Sequence, residues 1–200
     1  MSIYGFKPRF QAMLRPLVRL LAGAGVTANQ VTVLAAVLSV AAGVWIGLGG
    51  GRIALLAVPA VLLVRMALNA MDGMLAREHG MASPLGAILN ELGDVVSDAA
   101  LYLPLAAVEG VPAPPLVAVV LLAVITEMAG VVAVQIGASR RYDGPMGKSD
   151  RAFVFGLGCL LLGLGVEPGP WVAWTLWAVA GLLALTVVRR CRRALAEAAP

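Results

Sequence analysis

Charge is what this sequence has least of. Charged residues make up 13% of its 200 positions and hydrophobic residues 60%, against about 45–50% apolar in an ordinary soluble domain. That balance excludes a water-soluble globule. The net charge of +4 therefore bears on membrane topology and says nothing of nucleic acid. Histidine occurs once, as His79, and cysteine twice, as Cys159 and Cys191. Zinc is held by spaced sets of such ligands, which this chain lacks, so His79 reads as a loop residue. Cys159 falls in an apolar run and Cys191 in a basic one, which argues against a disulfide. The start of the chain is basic, but no short apolar run with a small-residue cleavage site follows directly, so no cleavable signal is expected.

What the sequence has is apolar runs of about 20 residues, long enough to cross a bilayer. They predict an all-α integral membrane protein with six transmembrane helices, at about 27–50, 53–75, 84–108, 115–138, 152–166 and 171–188. Residues 1–26 form an N-terminal juxtamembrane segment, 27–188 the transmembrane domain and 189–200 a basic tail. Residues 5–22 alternate basic and apolar positions at helical spacing. They read as an amphipathic helix in the interface, with Phe10, Leu14, Leu17 and Leu21 toward the acyl chains, or else as a solvated basic lead-in. Pro16 either kinks that helix or begins a second segment. Thr27 is a candidate N-cap for the first span. Gly43, Gly47 and Gly51 recur every fourth residue, which suits close helix packing, either between two copies or within one chain. The fifth span is short, and extension into the preceding loop is expected. The four tryptophans, Trp45, Trp171, Trp174 and Trp177, read as interfacial anchors or packing.

With six spans both termini lie on one side, and every Lys and Arg except Arg52 and Arg65 falls there. The excess of positive charge makes that side cytoplasmic. Polar residues gather in one stretch. Asn69 and Asp72 share a face of the second span; Gly86, Asn90, Asp94 and Asp98, each four apart, stripe the third. The short loop from Arg77 to Pro84 folds the two helices antiparallel, so the stripes face each other near the cytoplasm. An aspartate inside a span costs about 2.5–3.5 kcal/mol, so three of them call for a cation or a water-filled cavity. Carboxylate and amide oxygens suit Mg²⁺ or Mn²⁺. Gly73 and Gly86 allow close backbone approach to a ligand, and Arg77 offers a planar fork for phosphate.

This order and spacing resemble the signature of the CDP-alcohol phosphotransferase (CDP-alcohol phosphatidyltransferase) family of membrane enzymes. The signature runs Asp, two residues, Asp-Gly, two residues, Ala-Arg, about eight residues, Gly, three residues, Asp, three residues, Asp. Asp72, Gly73, Ala76, Arg77, Gly86 and Asp94 fall in register, while Asn69 and Asn90 stand at the first and third aspartate positions. Thr27-Ala28-Asn29 with Thr32 is similar to the family's entry into its first span, with Ala28 where proline is usual. The resemblance implies attack of an alcohol hydroxyl on the lipid-linked phosphorus of CDP-diacylglycerol, expelling CMP. It implies that Asn69, Asp72, Asn90 and Asp94 hold the metal, with Asp94 also the general base. Gly73, Ala76, Arg77 and Gly86 would line the CDP site, joined by Asn29 and Thr32. A homodimer among membrane lipids is implied as well.

The aspartate pattern would carry four negative charges. This chain has Asp72 and Asp94, or three acids if Asp98 joins, so a second metal should bind more weakly. Asp98, one turn beyond Asp94, is the alternative base; it would set the site about 6 Å deeper. Arg140, Lys148 and Arg151 form either an anion site for an acceptor or lipid phosphate, or a topology determinant alone. Glu127 is expected to pair with Arg65. The alternatives to the enzyme are a degenerate homologue that only binds CDP or metal, a soluble CDP-headgroup donor with a diacylglycerol acceptor, and a cation-coupled transporter. Transport would require inverted repeats, and the last three spans have no counterpart of the polar stretch.

Overall fold

Thr27 begins the bundle. In the computed structural model, which describes residues 7–199, its hydroxyl accepts from Gln30 N at 3.3 Å. Thr27 N in turn donates to the Gln30 amide oxygen at 2.9 Å. This reciprocal cap starts α2 (Ala28–Gly47). Before it lies α1 (Lys7–Gly23), and after it come α3 (Gly51–Glu78), α4 (Pro84–Tyr102), α5 (Ala113–Val132), α6 (Lys148–Gly163) and α7 (Pro170–Ala198). Short 3₁₀ turns extend α4 over Leu103–Ala107 and α5 over Ala133–Ile136. No strand occurs among the described residues.

Four of the helices are long and apolar enough to cross a membrane: α2, α3, α5 with its 3₁₀ extension, and α7. These make the chain a membrane protein. The expected count of six meets this criterion only in part. α4 carries Glu91, Asp94 and Asp98, and α6 has 16 residues, about 24 Å against a hydrocarbon core of about 30 Å. α6 does begin inside the polar loop, at Lys148, as its short apolar run required. Both helices sit within the bundle, α4 against α2 and α5, and α6 against α3.

α1 is one helix, with Pro16 inside it. Its inner face differs from the expected one. Val18 is fully buried, and Leu14 and Leu21 pack with it against Val31, Met71, Met74 and Leu75, so these leucines face protein and not lipid. Met13, Leu17 and Leu20 are the exposed apolar residues. The Arg15 guanidinium donates twice to Glu78, at 3.0 and 3.1 Å, and ties α1 to the end of α3. Phe10 is half-buried.

The glycine spacing in α2 serves packing within the chain. A Cβ at Gly43 would fall 1.8 Å from the Ala100 carbonyl oxygen, and one at Gly47 would touch Pro104. This backbone contact of α2 with α4 brings Asn29 toward the polar stripe of α4, and packing of α2 on α3 brings Thr32 toward that of α3. The larger core runs through Leu62, Leu101, Leu116, Phe155, Leu176 and Leu183. Within it the Tyr102 and Phe155 rings stack at 3.9 Å. Cys159 is buried and Cys191 exposed, both as free thiols.

Candidate active site

Asp72 is the most deeply set acid of the signature, at 3% exposure. The Thr32 hydroxyl, from α2, lies 2.8 Å from its Oδ2 and 3.1 Å from the Ala28 carbonyl. Asp72 Oδ1 has no partner. Asn29 Oδ1 is likewise buried and unpartnered, and it lies against Gly86: a Cβ there would come within 2.7 Å of it. Gly86 N donates to the Ser83 hydroxyl at 3.0 Å, which caps α4. At Gly73 the missing side chain makes room for Arg77, whose Nη2 would stand 2.9 Å from a Cβ. Arg77 is exposed at the end of α3, and Ala76 is half-buried beside the small core under α1.

Asp94, on α4, is 27% exposed. Asn69 Nδ2 donates to its Oδ1 at 3.4 Å, and the Lys148 ammonium pairs with the same oxygen. Arg65 Nη2 donates to the Asp94 backbone oxygen at 3.3 Å. Asn90 sits half-buried one turn before Asp94. The structure thus brings Asn29, Thr32, Asn69, Asp72, Gly86, Asp94 and Lys148 to one end of the α2–α3–α4 group.

Asp98 has different surroundings. It is buried between Arg65, whose Nη1 is 2.6 Å away, and Arg151, whose Nη2 is 2.8 Å away. Two guanidinium groups leave it no open face for an acceptor. The same contacts correct the expected Glu127–Arg65 pair. Glu127 takes Arg151 at 3.2 Å and Arg140 and Arg190 at 3.4 Å. Arg140 also pairs with Glu91 and stacks over Tyr142. Arg140 and Arg151 therefore have carboxylate partners, and of the three basic residues read as either an anion site or a topology determinant Lys148 alone reaches the signature acids.

Arg190, read in the sequence as tail, turns inward from α7. It is 2% exposed and donates to the Thr126 and Asp143 carbonyls. The loop it holds is further fixed by Arg141 and Arg193 on Asp143. Burial pushes the Asp143 carboxyl upward, but these two guanidinium groups outweigh it and hold the group below the usual carboxylate range. Two spacings carried the missed contacts: Arg65, Asn69 and Asp72 share one face of α3, and Lys148 and Arg151 one face of α6.

The CDP-alcohol phosphatidyltransferase family profile matches residues 25–189. The chain belongs to that family. Inner membrane protein YnbA of Escherichia coli strain K12 is 45% identical over 199 residues, 98% of this chain and 97% of that protein. Among solved structures, the phosphatidylinositol phosphate synthase PgsA1 of Mycobacterium tuberculosis has the same fold. Its complex with manganese and citrate superposes with a TM-score of 0.74 at 24% identity, covering 90% of this chain and 87% of that one. Its CDP-DAG-bound form gives 0.72 at 25% identity, covering 90% and 92%.

In this family member, the donor set bears on the divalent metal that the family implies. Among the described residues no three carboxylate, imidazole or thiol side chains converge as a cage. What is present is the unpartnered Asp72 Oδ1, the partly exposed Asp94 and two amides. Mg²⁺ and Mn²⁺ are commonly bound by one or two carboxylates together with substrate phosphates, and the residues fit a single such ion.

Proposed function

We propose that the chain transfers a phosphatidyl group from CDP-diacylglycerol to an alcohol, releasing CMP. The observation that carries the reading is the convergence of Asn29, Thr32, Asp72 and Asp94 from three helices at one end of the bundle. The CDP-DAG bound in a relative of the same fold supports it. Asp72 would hold the divalent ion, with Asn69 and Asn90 as neutral oxygen ligands, and the ion would screen the diphosphate charge.

The chain's own residues supply the rest. Thr32 fixes the Asp72 carboxylate by hydrogen bond, leaving Oδ1 toward the site. Arg65 anchors the α4 backbone at Asp94. Asp94, less buried than Asp72 or Asp98, is the base that takes the acceptor hydroxyl proton as its oxygen attacks phosphorus. Gly73, Ala76, Arg77 and Gly86 line the CDP position, with Arg77 free to reach phosphate. Cytoplasmic placement of both termini and the site follows from the charge asymmetry, and self-association through exposed apolar helix faces belongs to the same reading.

The test is CMP release by the purified protein in lipid vesicles containing CDP-diacylglycerol, with Mg²⁺ or Mn²⁺ and a panel of alcohols. Release that needs both metal and one acceptor is the expected result. Release only from a water-soluble CDP-alcohol with diacylglycerol as acceptor would reverse donor and acceptor. No release with any pair would make the chain a binding protein.

A further inference from the structure

Asn69 and Asn90 remove two of the four charges that the aspartate pattern would place around the metal, and Lys148 adds a charge of opposite sign. Its ammonium rests on Asp94 Oδ1, the oxygen that also accepts from Asn69 Nδ2 at 3.4 Å. Two donors occupy the lone pairs of that oxygen, so it is closed to a metal ion. Lys148 sits at the first turn of α6, on a helix fixed by the buried Arg151, two of whose nitrogens reach Asp98. Its reach to Asp94 is thus set by the bundle and not by a mobile loop.

We infer that Lys148 is a built-in cation that takes the place of a second divalent ion, and that the chain binds one Mg²⁺ or Mn²⁺, at Asp72. This rests on the metal-dependent reading of the site above. One divalent ion balances Asp72 and Asp94 and leaves the Lys148 charge to face the donor diphosphate. Two ions beside Lys148 would leave the site strongly positive, with like charges a few ångströms apart. The covalent chemistry is unchanged: Asp94 Oδ2 remains open to the acceptor hydroxyl.

The experiment is Mn²⁺ binding to the purified full-length protein in detergent, counted by the paramagnetic resonance of free Mn²⁺. One Mn²⁺ per wild-type chain is expected, and that count depends on no variant. Lys148→Met should bind its Mn²⁺ at least about ten-fold tighter, since a like charge is removed from the site. Asn69→Asp with Asn90→Asp and Lys148→Met together should admit a second Mn²⁺. Two Mn²⁺ in the wild type, or an affinity unmoved by Lys148→Met, would overturn the inference while leaving phosphatidyl transfer intact. Binding of none at millimolar Mn²⁺ would also overturn it, and CMP release would then decide separately on the reaction.

Discussion

Replacing Asp98 by Asn keeps the shape of the side chain and removes the charge that two buried guanidinium groups face. Arg65 and Arg151 are 3% and 2% exposed in their side chains and lie 2.6 and 2.8 Å from Asp98. Breaking a buried pair from one side costs about 3–5 kcal/mol, because the remaining charge stays buried. Arg151 keeps Glu127 at 3.2 Å, whereas Arg65 keeps only the Asp94 carbonyl, so the lower end, about 3 kcal/mol, applies. For a chain of this size that corresponds to a fall of about 6–12 °C in melting temperature. The assay is thermal unfolding in detergent followed by circular dichroism, with CMP release measured in parallel well below the transition. The expected variant melts early and still releases CMP. An unchanged melting temperature with CMP release lost would refute the structural role and make Asp98 the base.

Asp94→Asn should show the opposite pattern: near-normal melting and CMP release reduced by about 10²-fold or more, the range of a lost general base. Gly43→Val would drive a side chain into the Ala100 carbonyl 1.8 Å from its Cβ; a loss of about 1–3 kcal/mol, read as earlier unfolding, is expected, and wild-type stability would mean α2 and α4 are not in backbone contact. Gly86→Ala should raise the KM for CDP-diacylglycerol by displacing Asn29 Oδ1, 2.7 Å from the new Cβ, with little effect on melting. Because Asp143 is held below the usual carboxylate range in the folded chain, its contribution to stability is present above that range and lost as pH falls through its folded value. Asp143→Asn should therefore flatten the acid side of the melting-temperature profile, and an unaltered profile would rule out that anchor.

Much of this architecture was legible because the physics is local. The Thr27 cap, the helix start at Pro84, the extension of the fifth span into the preceding loop and the two polar stripes follow from residue type and spacing alone. Asn29 and Thr32 were tied to the signature by resemblance; the approach of Asn29 to Gly86 needs the contact of α2 with α4 that Gly43 permits, and that of Thr32 to Asp72 the packing of α2 on α3. The charge pairing was not legible. Glu127 faced four arginines across the bundle, and nothing in one dimension ranks Arg151, Arg140 and Arg190 above Arg65. Arg190 looked like tail because it lies in a basic run, yet the helix continues and turns it onto the Thr126 carbonyl. Leu14 and Leu21 belonged to an amphipathic pattern that a membrane or the protein's own α3 satisfies equally well.

The fate of the phosphatidyl group tests the transfer most directly. Protein in vesicles containing CDP-diacylglycerol labelled in its acyl chains would be incubated with Mn²⁺ and the alcohol that supports CMP release, and the lipids resolved by mass. Phosphatidyl transfer would give a labelled lipid equal in mass to phosphatidate joined to that alcohol with loss of water, absent with chelator and in Asp94→Asn. Label appearing only in free phosphatidate, or remaining wholly in the donor, would contradict it.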